Sequence, residues 1–408
     1  MRTRCWADSA PVASSRNVIV AGAGIGGLTA ALAMAQRGFR VTLLDQAQRL
    51  EETGAGIQLS PNASRILIAL GLEQQLRHCI VEPAELRVID ARTAKVQARA
   101  PLGRTVEERH GAPYWVIHRG DLQAVLIDAT RAHAGIALRL GTRVENFVVR
   151  SKDVTVSTAS SQGAGEEHGM ALIGADGLWS SLRQQLGAPP GPRFARHSAW
   201  RALIPADWVA PELRVPAVNL WLGHRAHLVH YPVRQCGLVN VVAIIRDDWH
   251  ERGWSAPGER CELLSRYPAP AWPPQARALL SAPQAWRKWA LFDCAPFALW
   301  GNGPVTLLGD AAHPMLPFLA QGAAAAIEDA AVLASRLSET PDDAESAMRR
   351  YEHERRRRTA LIQRAARRNG AIYHLGGPAT FARTLALLAM GGRRMLTRYD
   401  WLYGWKPA

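Results

Sequence analysis

Lysine is nearly missing from this chain. Only Lys95, Lys152, Lys288 and Lys406 carry an ammonium, although lysine and arginine together number 49 in 408 residues. The formal charge of +14 is therefore arginine charge, spread along the sequence. One cluster stands out, Arg349-Arg350 with Arg355–Arg358. It alternates with Glu352 and Glu354, which reads as a solvated helix face and not as a nucleic-acid site. Cysteine is also scarce. Cys5, Cys79, Cys236, Cys261 and Cys294 are odd in number and lack metal-ligand spacing, so neither a disulfide framework nor a metal site is expected. Free thiols of this kind fit a reducing, cytoplasmic setting. No stretch reaches the ~20 uninterrupted apolar residues of a membrane span. The first 16 residues carry Arg2, Arg4 and Arg16 but no apolar core of a signal peptide, and are expected to form a short extension outside the fold. Internal repeats and low-complexity linkers are absent too. Net charge alone keeps a basic nucleic-acid-binding module open, and a colourless protein with salt-sensitive nucleic-acid binding would favour it.

What is present points elsewhere. At 48% apolar and 21% charged residues the composition is that of an ordinary globular protein, long enough for two or more domains. Asn17–Ala21 is a β-branched run, Gly22-x-Gly24-x-x-Gly27 a glycine turn, Leu28–Arg37 an alanine-rich helix ended by Gly38, and Arg40–Leu44 a second strand. This is the opening of a βαβ unit that lays a pyrophosphate on a helix start. Asp45 follows Gly27 by 18 residues, near the ~20 that place a carboxylate on a ribose. Far downstream, Leu307-Leu308-Gly309-Asp310-Ala311-Ala312-His313-Pro314 is another strand ending on an aspartate before a helix. A nicotinamide dehydrogenase needs only the first motif. Two such motifs suit FAD, a long cofactor held at both ends.

Between them lie a glycine loop, Glu52–Ala63, where Ser60 or Asn62 could cap a helix with Pro61 in its first turn, and strand-like segments Ala84–Ile89 and Lys95–Pro101. Arg119 stands at the entrance of a helix Leu122–Ala134, a place where an arginine meets phosphate. Ala137–Leu140, Arg143–Val149, Val154–Thr158 and Met170–Ala175 read as strands, Ser160–Gly169 as a polar turn, and Ser180-Ser181 as a helix start after Asp176-Gly177. From Gly187 to Phe292 prolines and tryptophans become frequent and Ala199–Ile204, Val218–Leu222, His227–Tyr231 and Leu238–Ile245 suit an antiparallel sheet. Helices Ala320–Leu337 and Ser346–Asn369 follow. The tail carries Tyr399, Trp401, Tyr403 and Trp405, which should pack onto the body. The expected fold class is α/β: a Rossmann-like FAD-binding domain (17–85, 110–186 and 295–370), an inserted, mostly antiparallel β-sheet substrate domain (86–109 and 187–294), and a C-terminal helical segment (371–408).

Taken in order, Gly22-x-Gly24-x-x-Gly27, Ala175-Asp176-Gly177 and Gly309–Pro314 with Ala326-Ile327-Glu328-Asp329-Ala330 resemble the single-component FAD-dependent aromatic hydroxylases, the group of p-hydroxybenzoate and salicylate hydroxylases. The loop Gly54–Ala63, the run His118-Arg119-Gly120-Asp121-Leu122 and Tyr231-Pro232-Val233-Arg234 resemble its branch acting on salicylate, hydroxybenzoate or 6-hydroxynicotinate. The resemblance spans about Asn17 to Trp405. It implies FAD as cofactor, held by Gly22, Gly24, Gly27, Asp45, Gln46, Arg119, Val144, Asp176, Asp310, Pro317, Gly322 and Ala323. It implies NADH or NADPH and O2 as co-substrates, with oxygen adding at flavin C4a to give a hydroperoxide that attacks an electron-rich phenolic or N-heteroaromatic ring. His227 and Tyr231, four residues apart on one strand face, become the candidates for moving the phenolic proton. Gln58, Val218, Pro317 and Phe318 would face the substrate, and His313 is expected to be structural or flavin-adjacent. The last two pocket positions are apolar here, so a polar anchor for a substrate carboxylate is not evident; Arg201 or Arg234 could supply a cation. A monomer or homodimer is expected, without nucleic-acid partner. Another FAD enzyme on the same scaffold, a reductase, an oxidase or a halogenase, is the alternative, although the Trp-x-Trp-x-Ile run of such halogenases is missing.

Overall fold

The computed structural model describes residues 16–50, 55–150, 153–188, 191–251, 253 and 255–407. The extension before Arg16, with Cys5, and Glu52–Gly54 of the glycine loop lie outside the described residues. The centre of the first layer is a six-stranded sheet in the order Gly301–Asn302, Val305–Leu307, Ala171–Gly174, Asn17–Ala21, Arg40–Leu44, Ile136–Arg139. All pairings are parallel except the first, a hairpin. Strands buried on both faces need no alternation, which is why Val18, Ile19 and Val20 are all fully buried. Helix Ile25–Ala35 is buried nearly all round, and helix Gly322–Glu339 packs against it. Each fully buried Leu or Met there, Leu28 and Met34 among them, contributes roughly 1.5–3 kcal/mol of apolar burial.

The second layer is an eight-stranded sheet in the order Ala256–Gly258, Trp286–Asp293, Arg193–Pro205, Leu238–Arg246, Ala226–Val233, Ala217–Gly223, Glu85–Asp90, Val96–Pro101. It is antiparallel except where Ala217–Gly223 meets Glu85–Asp90. One face is sealed by Trp200, Leu228, Tyr267, Trp272 and Leu279. The other face carries His197, Arg201, His227, Tyr231 and Val218 and turns toward the first layer, because the period of two puts alternate residues on it.

Four expectations are corrected. Ser160–Gly169 is not a turn: Gly163–Gly169 is a strand paired with Asp153–Ser160. It is an edge strand with most of its residues exposed, so polar composition costs it nothing. Ser60 does not cap its helix; its hydroxyl donates to Asn62 Oδ1 at 2.6 Å, and Pro61–Ala69 starts without a side-chain cap. The arginine cluster is not simply a solvated face. Arg355 is fully buried, with Nε 2.6 Å from Asp329 and Nη2 2.7 Å from Glu328. The first helix also begins earlier than expected, at Ile25. The tail does pack down: Arg355 and Arg358 lie over the Trp405 ring, 5.1 and 4.8 Å from its centroid. No helix among the described residues is long and apolar enough to cross a membrane.

Candidate active site

The first glycine motif is shaped by close approach. Gly22 has φ +110°, and a Cβ there would stand 2.3 Å from the Ala175 carbonyl oxygen. A Cβ on Gly27 would stand 1.9 Å from the Gly22 carbonyl oxygen. Gly24, by contrast, has nothing within 4 Å of its Cβ position, and the helix it precedes has no side-chain cap. Free N–H groups at the helix start therefore border open space, the arrangement that takes a pyrophosphate. Asp45 is anchored at the strand end, where it accepts from the Ala23 N–H at 2.6 Å and the Ala47 N–H at 2.8 Å. Gln46 beside it is exposed. Val144 stands on the strand Thr142–Arg150, whose first N–H donates to the Asp45 carbonyl at 2.8 Å. Gly22→Ala is expected to abolish FAD retention, because the methyl must displace backbone; the purified variant should lack flavin absorbance.

The second motif opens on the same cleft. Asp310 is exposed to the cleft while the surrounding wall pushes its carboxyl pKa up; His313, Arg119 and Arg183 oppose that rise. Arg119, at the first position of helix Arg119–Ala132, has its pKa lowered by burial, which the negative charge of Asp310 partly offsets. Arg183 fastens the loops together. It is 2% exposed, and it donates to the carbonyls of Ala311 at 3.0 Å and Leu178 at 2.6 Å. Asp176 uses Oδ2 to accept from the Leu182 N–H at 3.2 Å, while its Oδ1 is buried without a partner. His313 is tied to Asp329 at 2.5 Å, as is the Gly309 N–H at 3.0 Å, which makes His313 part of the brace under the loop. Helix Gly322–Glu339 starts without a side-chain cap, and the Cβ position of Gly322 is open. Gln321 joins this start to the other loop, donating to Ser60 Oγ at 2.9 Å and accepting from Asn62 Nδ2 at 3.1 Å. The orphaned Asp176 oxygen, the open space at Gly24 and Gly322 and the exposed carboxylate of Asp310 fit a dinucleotide with a polar ring system.

Above that cleft, the sheet face gathers two groups of side chains. Tyr231 meets Gln58, which also accepts from the Tyr114 hydroxyl at 2.6 Å. Burial raises the pKa of both phenols, so they act as neutral hydrogen-bonding groups. Val218 packs in the same cluster. Arg201 lies beside Tyr231, stacked over the Trp289 ring at 5.2 Å. Its Nε is buried without a partner, and among the described residues no carboxylate pairs with it. Arg234, the other candidate cation, is held by Asp121 at 2.7 Å and is no free anchor.

His227 lies at the other end of the strand, about 13 Å along it from Tyr231. It is 2% exposed, and burial, then His374 and His197, hold its pKa well below the ordinary value. Its Nδ1 is 2.7 Å from His374 Nε2; His374 Nδ1 is 3.0 Å from His197 Nε2; and His197 Nδ1 is 2.6 Å from the Ala195 carbonyl. A carbonyl only accepts, so in the neutral chain His197 carries its proton on Nδ1. Its Nε2 must then accept from His374 Nδ1, and His374 Nε2 must accept from His227 Nδ1. The tautomer assigned this way leaves the lone pair of His227 on Nε2. Phe318 packs against this chain, 5.6 Å from His227 and 5.5 Å from His197, with Pro317 just before it. His230 faces the opposite way, toward Trp221, and does not compete for the role. His197, His374, Tyr114 and Arg183 carry parts of the site that were not singled out from the sequence. Only the last had a local signal, its place six residues after Gly177, in the helix that follows Asp176-Gly177.

A cleft with two dinucleotide-type motifs under a sheet bearing a buried histidine chain and an arginine without a carboxylate suits a flavin-dependent oxidoreductase. Residues 15–366 match the family described as FAD binding domain, and the chain belongs to that family. Among curated relatives, 3-hydroxybenzoate 6-hydroxylase 1 of Aquipseudomonas alcaligenes is 37% identical over 95% of this chain and 97% of its own. The 6-hydroxynicotinate 3-monooxygenase of Bordetella bronchiseptica is 33% identical over 86% of this chain and 91% of its own. Among solved structures, Klebsiella pneumoniae HpxO complexed with FAD and uric acid superposes with a TM-score of 0.81 at 27% identity, covering 94% of this chain and 95% of that one. A salicylate hydroxylase substrate complex gives 0.79 at 25% identity, covering 96% and 95%. The chain is an FAD-dependent monooxygenase of the aromatic-hydroxylase type.

Proposed function

We propose that the protein hydroxylates a small phenolic or N-heteroaromatic carboxylic acid in the cytoplasm, using NADH or NADPH and O2. The observation that carries this reading is the placing, on one sheet face, of a neutral histidine with its lone pair on Nε2 and a half-buried arginine whose Nε has no partner and which lacks a carboxylate. Bound FAD supplies the redox chemistry, taking hydride from the nicotinamide and activating oxygen. The chain supplies the rest. Gly22, Gly24, Gly27, Asp45, Gln46, Arg119, Val144, Asp176 and Asp310 would hold the cofactor's adenosine and pyrophosphate, with Pro317, Gly322 and Ala323 at its ring. Arg201 would pair with the substrate carboxylate. Gln58 and Tyr231 would hydrogen-bond its polar substituents. His227 would take the phenolic proton at Nε2, raising electron density on the ring. Val218 and Phe318 would keep water out. The four cysteines among the described residues are unpaired, in keeping with a reducing compartment.

The test is a panel of hydroxybenzoates, salicylate and hydroxynicotinates with each nicotinamide nucleotide. At least one carboxylated ring should accelerate nucleotide oxidation and gain one oxygen atom. If none does, the reading is wrong. Arg201→Met should raise KM for the carboxylated substrate about 10- to 100-fold, the value of one charge-assisted contact. The same variant should leave KM for the matching uncharged phenol unchanged.

A further inference from the structure

A second cavity of about 720 Å³ opens where the turn Gly223–Ala226, the end of strand Leu238–Arg246 and the start of helix Pro378–Thr397 converge. None of the proposed cofactor or substrate residues lines it. Its wall contains Arg383, only 6% exposed. One nitrogen of that side chain, Nη1, donates to the carbonyls of Ile372 at 3.2 Å and Tyr373 at 3.0 Å, closing the end of the preceding helix. The other two, Nε and Nη2, are buried and have no partner. Burial lowers the pKa of this guanidinium, and Asp90 is the group that supports it. Asp90 is already committed, to the Arg92 and Thr93 N–H groups at 2.9 and 3.0 Å and to Gln97 Nε2 at 2.9 Å.

Leaving two donors of a buried cation unmet is unfavourable, and a bound acceptor would relieve it. The neighbourhood is nonetheless built to add positive charge. Arg92, Arg225 and Arg246 stand exposed at the rim, and among the described residues none of them is paired with a carboxylate. The acids on the same wall are occupied: Asp247 accepts from Ser198 at 2.6 Å and Asp248 pairs with Arg196 at 2.5 Å. The helix that carries Arg383 starts at the cavity with no side-chain cap, and Thr380 of its first turn lines the wall. Its N–H groups add the positive end of a helix dipole to the same point.

We propose that this cavity binds a small molecule bearing a diphosphate, with Arg383 and the helix start at its floor and Arg225, Arg246 and Arg92 around its mouth. The volume exceeds that of a single phosphate and suits an elongated ligand. Two sources share this chemistry: a nicotinamide dinucleotide and a free phosphorylated metabolite. The site itself stands on the geometry alone. Only the dinucleotide assignment rests on the proposed hydroxylase reaction.

The test titrates FAD-loaded protein with inorganic pyrophosphate by calorimetry. Saturable binding of one pyrophosphate per chain is expected, weakened at least about tenfold by Arg383→Met, as for loss of one charge-assisted contact. Should Arg383→Met fold poorly, the double variant Arg225→Ser/Arg246→Ser, which changes exposed side chains, must show the same loss. Arg104→Ser, an equal charge change at an exposed side chain elsewhere, should leave binding intact. Absence of saturable binding, retention of full affinity in both cavity variants, or an equal loss in Arg104→Ser overturns the proposal. Pyrophosphate that raises the apparent KM for NADH or NADPH, but not for the aromatic substrate, supports the site as the dinucleotide's. Saturable, variant-sensitive binding without competition supports it as a free phosphate-ester site.

Discussion

His227→Gln is expected to retain FAD and lose hydroxylation by about a hundredfold or more, the value of a positioned general base. NAD(P)H should still be consumed, with more peroxide released per turnover. Equal coupling in the variant and the parent would remove His227 from the chemistry. The hydrogen-bonded chain makes the expectation more specific. The Ala195 carbonyl fixes His197, His197 fixes His374, and His374 keeps the lone pair of His227 on Nε2. His374→Phe should therefore lower kcat and shift the pH profile with little change in KM, whereas a merely packing role would leave the profile in place. The same three histidines make stability depend on pH. Burial leads in lowering all three pKa values, that of His374 to about 3. Below the unfolded value near 6.5 the unfolded chain takes protons that the folded one refuses. Stability is thus full above about pH 6.5 and falls as pH drops, by up to about 1.4 kcal/mol per pH unit for each group. Thermal melts between pH 7 and 4 should show the fall, and His197→Phe should flatten it.

The βαβ unit that opens the chain was legible in the sequence because its signals are local. A β-branched run, a glycine turn and a second strand occupy consecutive residues, and the structure places Asn17–Ala21 and Arg40–Leu44 side by side in parallel. The inserted sheet was legible for the same reason, each strand being recognisable alone. Gly163–Gly169 was not, because an exposed edge strand has neither apolar alternation nor a core to demand it. The histidine chain was not legible either. His374 lies 147 residues from His227 in sequence, and nothing near it marks its partner. Arg355 illustrates a third kind of loss. A run of charges reads as a solvated helix by count, but burial follows position. Glu352, Arg355 and Thr359 share one stripe of helix Ala344–Tyr373, and that stripe faces inward.

Arg355→Met is expected to destabilise the fold by about 3–5 kcal/mol, the cost of stranding buried carboxylates. Arg355 is fully buried between Glu328 and Asp329 on helix Gly322–Glu339. Glu328 would keep Arg358 at 2.6 Å and Asn62 at 2.6 Å, so Asp329 bears most of the loss. Asp329 in turn suspends the loop of the second motif, proposed to hold FAD, through His313 and the Gly309 N–H. The variant should therefore lose FAD at lower urea than it loses secondary structure, seen as flavin fluorescence rising before circular dichroism changes. Acid should act on the same joint. Burial pushes the Asp329 pKa up, but His313 and Arg355 outweigh it and bring it to about 2. That carboxylate contributes about 2 kcal/mol above the unfolded pKa near 4, lost as pH falls toward 2. Asp329→Asn should remove that acid-sensitive step and lower stability at neutral pH. If Arg355→Met instead released FAD and unfolded at the unchanged parental midpoint, the buried cluster would not be what holds the second motif in place.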